Sequence, residues 1–287
     1  MLPIRIVPCL DVRDGRVVKG VRFRGLADQG DPAALARAYE EQGADELVVL
    51  DVTATPEGRS TRRDTVSAVR AGLSVPLTVG GGIGGVADAA ALLEAGADKV
   101  AVNTAALRCP ELLTELAARF GSQCVVVSID ALRTDRDRAD SAYEVVVRSG
   151  TRRLARDAVE WAREAVDRGA GEILLTSIDR DGTRSGYELA LLRVVRAAVR
   201  VPIVASGGAD SPRHMAEAVR AGADAVLAAS IFHQGNWTVE AVKEALAALG
   251  VAVRPNYEEE KDPPPARSAI ASPVPSQACV SESQESP

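Results

Sequence analysis

The stretch VPIVASGGA, residues 201–209, has a near copy in VPLTVGGGI, residues 75–83. The two lie 126 residues apart, and other pairs keep the same step. AGADKVAVNTAA begins at Ala95 and AGADAVLAASIF at Ala221; GADELVVLD begins at Gly43 and GAGEILLTS at Gly169. Three segments sharing one offset imply that one half of the chain is a copy of the other. The unit is too long for a solenoid repeat, so two fused half-domains are expected.

Short apolar runs alternate with amphipathic stretches along the whole repeat. The strand candidates are 4–11, 46–52, 75–80, 99–103, 124–130, 172–179, 201–207 and 225–230. Their unbroken Val, Ile, Leu and Ala character suits strands buried on both faces, as in a parallel sheet. Helical patterns lie between, for example at 31–43, 87–96, 109–121 and 154–169. Asp31-Pro32 and Cys109-Pro110 place proline at a first helical position. Gly43, Gly96, Gly121 and Gly169 stand where a helix stops. Eight βα units predict an α/β fold, a (β/α)8 TIM barrel made of two similar half-barrels. An open doubly wound sheet is the rival. A literal GxGxxG runs from Gly80 to Gly85, but it opens the third unit and lacks the acidic residue a dinucleotide site wants.

The barrel is expected over residues 1–253. From 254 to 287 the chain turns rich in Pro, Ser and Glu, a composition that predicts a disordered tail. The net charge is −6, and six acidic and two basic residues beyond Pro255 supply −4 of it. The barrel is then nearly neutral, which argues against nucleic acid as a partner. No apolar run reaches about 18 residues and no secretory leader is present, so no membrane contact and a cytoplasmic location are expected. Four cysteines without CxxC spacing and only two histidines call for no metal. Cys9 and Cys124 sit in apolar runs and read as buried structural thiols.

Barrel enzymes carry their chemistry at the C-terminal ends of the strands. Strand one ends in Asp11 and strand five in Asp130. Such a pair across a barrel mouth suits general acid–base catalysis if the surroundings push the two pKa values apart. A lone strand-end aspartate more often caps a turn; the symmetric pair favours catalysis. Their offset is 119, so seven more residues must follow strand five than strand one. Gly81-Gly82 and Gly207-Gly208 follow strands three and seven, and Asn103-Thr104 and Ala229-Ser230 follow strands four and eight. Glycine lets backbone N–H groups approach an anion, and the last two loops of a barrel form its usual phosphate site. Duplication predicts a second site opposite, hence a long substrate with a phosphate at each end. A loop of about twenty residues after strand one carries Lys19, placed to reach a phosphate or a reacting group. The loop 178–187 brings Asp181, Gly182 and the Thr183 hydroxyl to the mouth. At the opposite end, Arg5, Glu46, Lys99 and Glu172 stand near strand starts and predict a charged ring across the barrel floor.

These motifs resemble a known family. CLDVRDGRVVKGVRF, LDVTA, VGGGI, VNTAA, SIDA, TSIDRDGTRSGY and ASGGA are similar, in order, to the cyclase subunits of imidazole glycerol phosphate synthase, from histidine biosynthesis. The resemblance covers about Arg5 to Val253. It implies a barrel that pairs, as a heterodimer, with a glutamine amidotransferase subunit. Ammonia from that partner passes through the barrel and reacts with phosphoribulosyl-formimino-AICAR-phosphate, a lyase reaction giving imidazole glycerol phosphate and AICAR. No cofactor is implied. By the resemblance Asp11 and Asp130 are the acid–base pair and Lys19 the mobile-loop lysine. Gly82, Asn103 and Thr104 match one phosphate site, and Asp181, Gly182, Gly208, Ala229 and Ser230 match the region of the other. Arg5, Glu46, Lys99 and Glu172 match the gate at the floor, and Asp98 lies near the partner face. The tail and the Arg/Asp-rich segment after strand five depart from the family pattern.

Two other readings compete. The related phosphoribosyl-formimino isomerase of the same pathway shares the fold, the aspartates and the phosphate sites. VVKG, TSIDRDGTRSGY and the charged floor favour the cyclase. A noncatalytic barrel that only activates a glutaminase has no need of both Asp11 and Asp130.

Overall fold

The computed structural model describes residues 2–21, 24–135, 139–147 and 152–255, with side chains 19–26 left out. Among these residues, eight parallel strands form a closed ring. In ring order they are β1 (Arg5–Arg13), β4 (Leu47–Asp51), β5 (Leu77–Gly80), β6 (Lys99–Val102), β7 (Val125–Arg133), β10 (Glu172–Ser177), β11 (Ile203–Ser206) and β12 (Ala225–Ala228). Pairing of β12 with β1 and of β7 with β10 leaves no free edge in the ring. All eight strands were legible as apolar runs. The anticipated tail from residue 254 lies, beyond Pro255, outside the described residues.

Helices follow the ring strands, the longer ones on the outside and three short ones at the mouth. They are α1 (Pro32–Glu41), α2 (Ala54–Glu57), α3 (Arg63–Arg70), α4 (Val86–Glu94), α5 (Thr104–Arg108), α6 (Glu111–Phe120), α7 (Ala158–Asp167), α8 (Leu189–Ala198), α9 (Pro212–Arg220), α10 (Ser230–His233) and α11 (Val239–Ala248). Each longer helix presents an apolar stripe to the ring, as α7 does with Val159, Trp161, Ala162 and Ala165. Strand residues pointing the other way fill the lumen, because side chains alternate along a strand. Val7, Cys9, Val48, Ala101, Val126, Leu174, Val204 and Leu227 form that inner core.

The loop expected after strand one is instead an antiparallel hairpin, β2 (Arg16–Val21) and β3 (Arg24–Gly30), running on from β1. Asp14 and Gly15, both at positive φ, make its first turn. A second hairpin, β8 (Tyr143–Val147) and β9 (Arg152–Asp157), continues from β7 at the matching place. The seven extra residues lie in this second excursion. Register between the halves returns at Asp31 and Asp157, again 126 apart. Asp31 accepts from Ala34 N at 2.8 Å, and Asp157 from Val159 N at 2.7 Å and Glu160 N at 3.1 Å. Each carboxylate thereby caps the helix that follows.

Two helix starts differ from expectation. Residues 154–157 belong to β9 rather than to α7, because Glu144 at the heart of the hairpin draws that backbone into the sheet: Ala155 N donates to Glu144 Oε1 at 2.8 Å. Pro110 is the cap of α6, one residue before the first helical position. Pro32 stands inside α1 as expected, and the four anticipated helix-stop glycines follow their helices.

Candidate active site

A cavity of about 370 Å³ opens at the C-terminal ends of the ring strands. Asp11, Gly82, Asn103, Thr104, Asp130, Asp181, Gly182, Gly207, Gly208, Ala229 and Ser230 all line it. Chain positions as far apart as Asp11 and Ser230 meet because every strand delivers its last residues to one rim. Lys19 lies on β2, and its side chain is outside the described residues.

Asp11 is buried, near the end of β1, and Cys9 Sγ donates to its Oδ1 at 3.5 Å. Asp130 is half-buried on β7, and Asn103 Nδ2 donates to its Oδ2 at 2.9 Å. Burial pushes the Asp130 carboxyl up to about 7; the Asn103 hydrogen bond opposes this and the charge of Asp181 adds to it. Asp130 therefore exchanges its proton near neutrality, where a group that both gives and takes protons works best.

The two glycine turns repeat in three dimensions. Gly82 has φ +64° and Gly208 φ +98°. A Cβ on Gly82 would lie 2.1 Å from Arg59 O, and one on Gly208 would lie 2.2 Å from Gly186 O. Each turn is thus roofed by a carbonyl from the neighbouring loop, which only glycine permits. Asn103 and Ala229 precede the short helices α5 and α10 with closely similar backbone angles, φ/ψ −132°/−92° and −126°/−69°. The ends are not identical. Gly82 N donates to Thr55 Oγ1 at 3.1 Å, and the Asp88 carboxylate accepts from Gly84 N at 2.8 Å. In the second half, Thr183 does not line the cavity as anticipated. Its hydroxyl donates to Arg180 O at 2.7 Å and meets Ser185 Oγ at 2.7 Å, which closes the turn on itself.

Several cavity residues escaped the sequence reading. Asp51 ends β4 as Asp11 stands near the end of β1, so the same strand-end position marks it in the sequence. It accepts two bonds from Arg59, at 2.6 and 3.1 Å, and one from Ala54 N at 3.0 Å. Those bonds fix the loop that carries Thr55 and Arg59 over Gly82. Arg108 and Arg184 also line the cavity; nothing in local periodicity marks them. Of the thiols read as buried and structural, Cys9 is buried but faces the cavity beside Asp11, and Cys124 is only half-buried in a 3-10 turn before β7.

The floor charges form the anticipated ring. Arg5 pairs with Glu46 at 2.7 Å and with Glu172, and Lys99 Nζ lies 2.9 Å from Glu46 and 2.7 Å from Glu172. Thr78 Oγ1 adds a bond to Glu46 at 2.7 Å. Burial works against the Glu172 charge, but Arg5 and Lys99 hold its carboxyl below the usual carboxylate range. Asp98 stands outside this ring. It pairs with Arg70 and accepts from Leu77 N at 2.8 Å, an arrangement repeated in the other half by Asp224, Arg196 and Ile203.

Among the described residues no helix is long and apolar enough to cross a membrane, and no three His, Cys, Asp or Glu side chains gather as metal ligands would. The model of the family described as "Histidine biosynthesis protein" matches residues 5–238. Imidazole glycerol phosphate synthase subunit HisF of Mycobacterium tuberculosis is 56% identical over 255 residues, covering 88% of this chain and 96% of that protein. The subunits of Mycobacterium bovis and Mycobacterium leprae are 56% and 55% identical over the same length. With the eightfold ring and its two matched halves, these likenesses place the chain in the histidine biosynthesis protein family, among the HisF subunits of imidazole glycerol phosphate synthase.

Proposed function

We propose that the cavity converts phosphoribulosyl-formimino-AICAR-phosphate and ammonia into imidazole glycerol phosphate and AICAR, a lyase reaction. The single observation that carries this is the meeting of Asp11 and Asp130 in one cavity between two matched glycine turns. A phosphate at each turn stretches the substrate across the mouth and leaves its reacting centre between the carboxyls.

The chemistry needs protons moved in both directions. Ammonia nitrogen bonds to the ketone carbon, and the ketone oxygen leaves as water once protonated. The same nitrogen then bonds to the formimino carbon, and the bond from that carbon to AICAR breaks as the departing amine takes up a proton. Loss of protons from the new ring completes the imidazole. Asp130, whose burial keeps its proton to near neutrality, is the first acid; Asp11 is the first base, and the roles exchange as the protons are returned. Each carboxyl is asked for about 10²- to 10⁴-fold in rate.

Ammonia reaches the site from a glutaminase partner docked on the floor face, forming a heterodimer in the cytoplasm. Buried ion pairs add little net stability over apolar packing. The ring of Arg5, Glu46, Lys99 and Glu172 is therefore read as a gate between that partner and the lumen, with Asp98 on the docking face. The test is to supply the isolated chain with the bisphosphate and ammonium and to follow both products. Formation of both supports the reading. Rearrangement of the unopened ribosyl precursor instead identifies an isomerase, and glutaminase activation without turnover identifies a noncatalytic activator.

A further inference from the structure

We propose that Arg108 is the cation that holds the substrate phosphate at the Gly82 end of the cavity, and that Arg184 holds the other at the Gly208 end. The proposal rests on the bisphosphate reading above. Among the described residues, the basic side chains lining the cavity are Arg59, Arg108 and Arg184. Arg59 is already committed, to Asp51 twice, to Glu57 at 2.6 Å and to Thr53 Oγ1 at 2.7 Å. It fastens its own loop and has little to offer a ligand.

Arg108 is exposed at the last position of α5, the helix that starts at Thr104. No carboxylate lies within ion-pair distance of it among the described residues. The residue 126 positions later is Gln234, just past α10. Arg184 reaches that residue: its Nη2 donates to Gln234 Oε1 at 2.7 Å, while its Nε pairs with Asp210 at 2.9 Å. The second half thus brings a guanidinium from the 178–187 loop to the place where the first half grows one from the helix. Each glycine turn gains one arginine, by different routes.

A second observation supports the pairing. Arg184 has φ +60°, a left-handed backbone that costs an ordinary residue, and the matching position in the first half is Gly58 at φ +67°. An arginine held in strain where the repeat has glycine points to use at a ligand site. The first half needs its cation too, because the Asp88 carboxylate lines that end of the cavity. The two ends are then unequal: Arg184 shares its charge with Asp210, and Arg108 shares with no carboxylate of the described residues. That inequality lets a nearly symmetric cavity bind a two-phosphate substrate in one direction.

Titration of inorganic phosphate into the full chain, followed by calorimetry, reads this without turnover. Arg108→Gln copies the other half and alters only an exposed side chain. It is expected to weaken phosphate binding at one site about tenfold, the order of one solvent-accessible charge-assisted contact. Arg108→Lys restores most of the loss, and Arg108→Gln/Arg184→Gln weakens both sites. With the bisphosphate as substrate, Arg108→Gln raises KM by a similar factor and changes kcat less. Equal phosphate affinity in all these proteins, or none in the wild type, overturns the proposal. Weakened phosphate binding with no turnover by the wild type leaves Arg108 in place and removes the cyclase reading instead.

Discussion

Asn103 Nδ2 donates to Asp130 Oδ2 at 2.9 Å, joining the end of β6 to the neighbouring strand β7. The other amide atom, Asn103 Oδ1, is buried and has no hydrogen-bond partner among the described residues. Asn103 is thus a group that favours the charged form of Asp130 against burial and Asp181. Replacing it with leucine removes the stabilising bond and raises the carboxyl further. If Asp130 acts first as an acid, kcat/KM declines above about pH 7 in the wild type, and the Asn103→Leu decline moves to higher pH. A decline that stays put or moves down contradicts the assignment.

The same carboxyl sets a cost in stability. Its folded pKa lies above its unfolded value, so its favourable contribution is complete below the ordinary aspartate range and is lost as pH rises through about 7. Asp130→Asn abolishes that loss. The variant is expected to gain on the wild type progressively between about pH 4 and 7 and then level off, by up to about 4 kcal/mol. Urea midpoints at pH 5 and pH 8 measure the gain; an offset independent of pH contradicts it. Stability gained by removing a group from a candidate active site is a common trade.

Lys243 on α11 and Asp45 before β4 form a buried pair at 2.9 Å, with residue exposures of 4% and 7%. Asp45 also accepts from Ile6 N at 2.8 Å, so the last helix is tied to the first strand. Lys243→Met leaves Asp45 buried without its cation. A loss of about 3 to 5 kcal/mol is expected in denaturant unfolding. Lys243→Met/Asp45→Asn should recover much of it, because the stranded charge is gone. A single variant as stable as the wild type shows that the pair has no such role.

The barrel was legible because burial on both faces leaves an unbroken apolar run at each strand, and because the halves keep one spacing. Asp11 and Asp130 were legible because they end such runs. The hairpins were not: β2 and β3 carry Arg, Lys, Asp and Gly where apolar alternation is expected, and β8 and β9 break off at a charge-rich segment. They form by pairing onto β1 and β7, which local pattern does not record. Arg59, Arg108 and Arg184 were hidden for a related reason. Each lies at a helix end or in a loop, and only closure of the ring brings it to the mouth. Thr183 misled because a hydroxyl beside a turn can serve the turn itself.

Asp11 and Asp130 are proposed to work together on one substrate from two strands of the ring. Ammonium-dependent turnover of the bisphosphate by Asp11→Asn and by Asp130→Asn, each with its substrate affinity measured by calorimetry, tests it most directly. Each change is expected to lower kcat by about 10²- to 10⁴-fold while affinity stays close to that of the wild type, since the glycine turns and not the carboxyls are proposed to hold the phosphates. Near-normal kcat in either variant contradicts it.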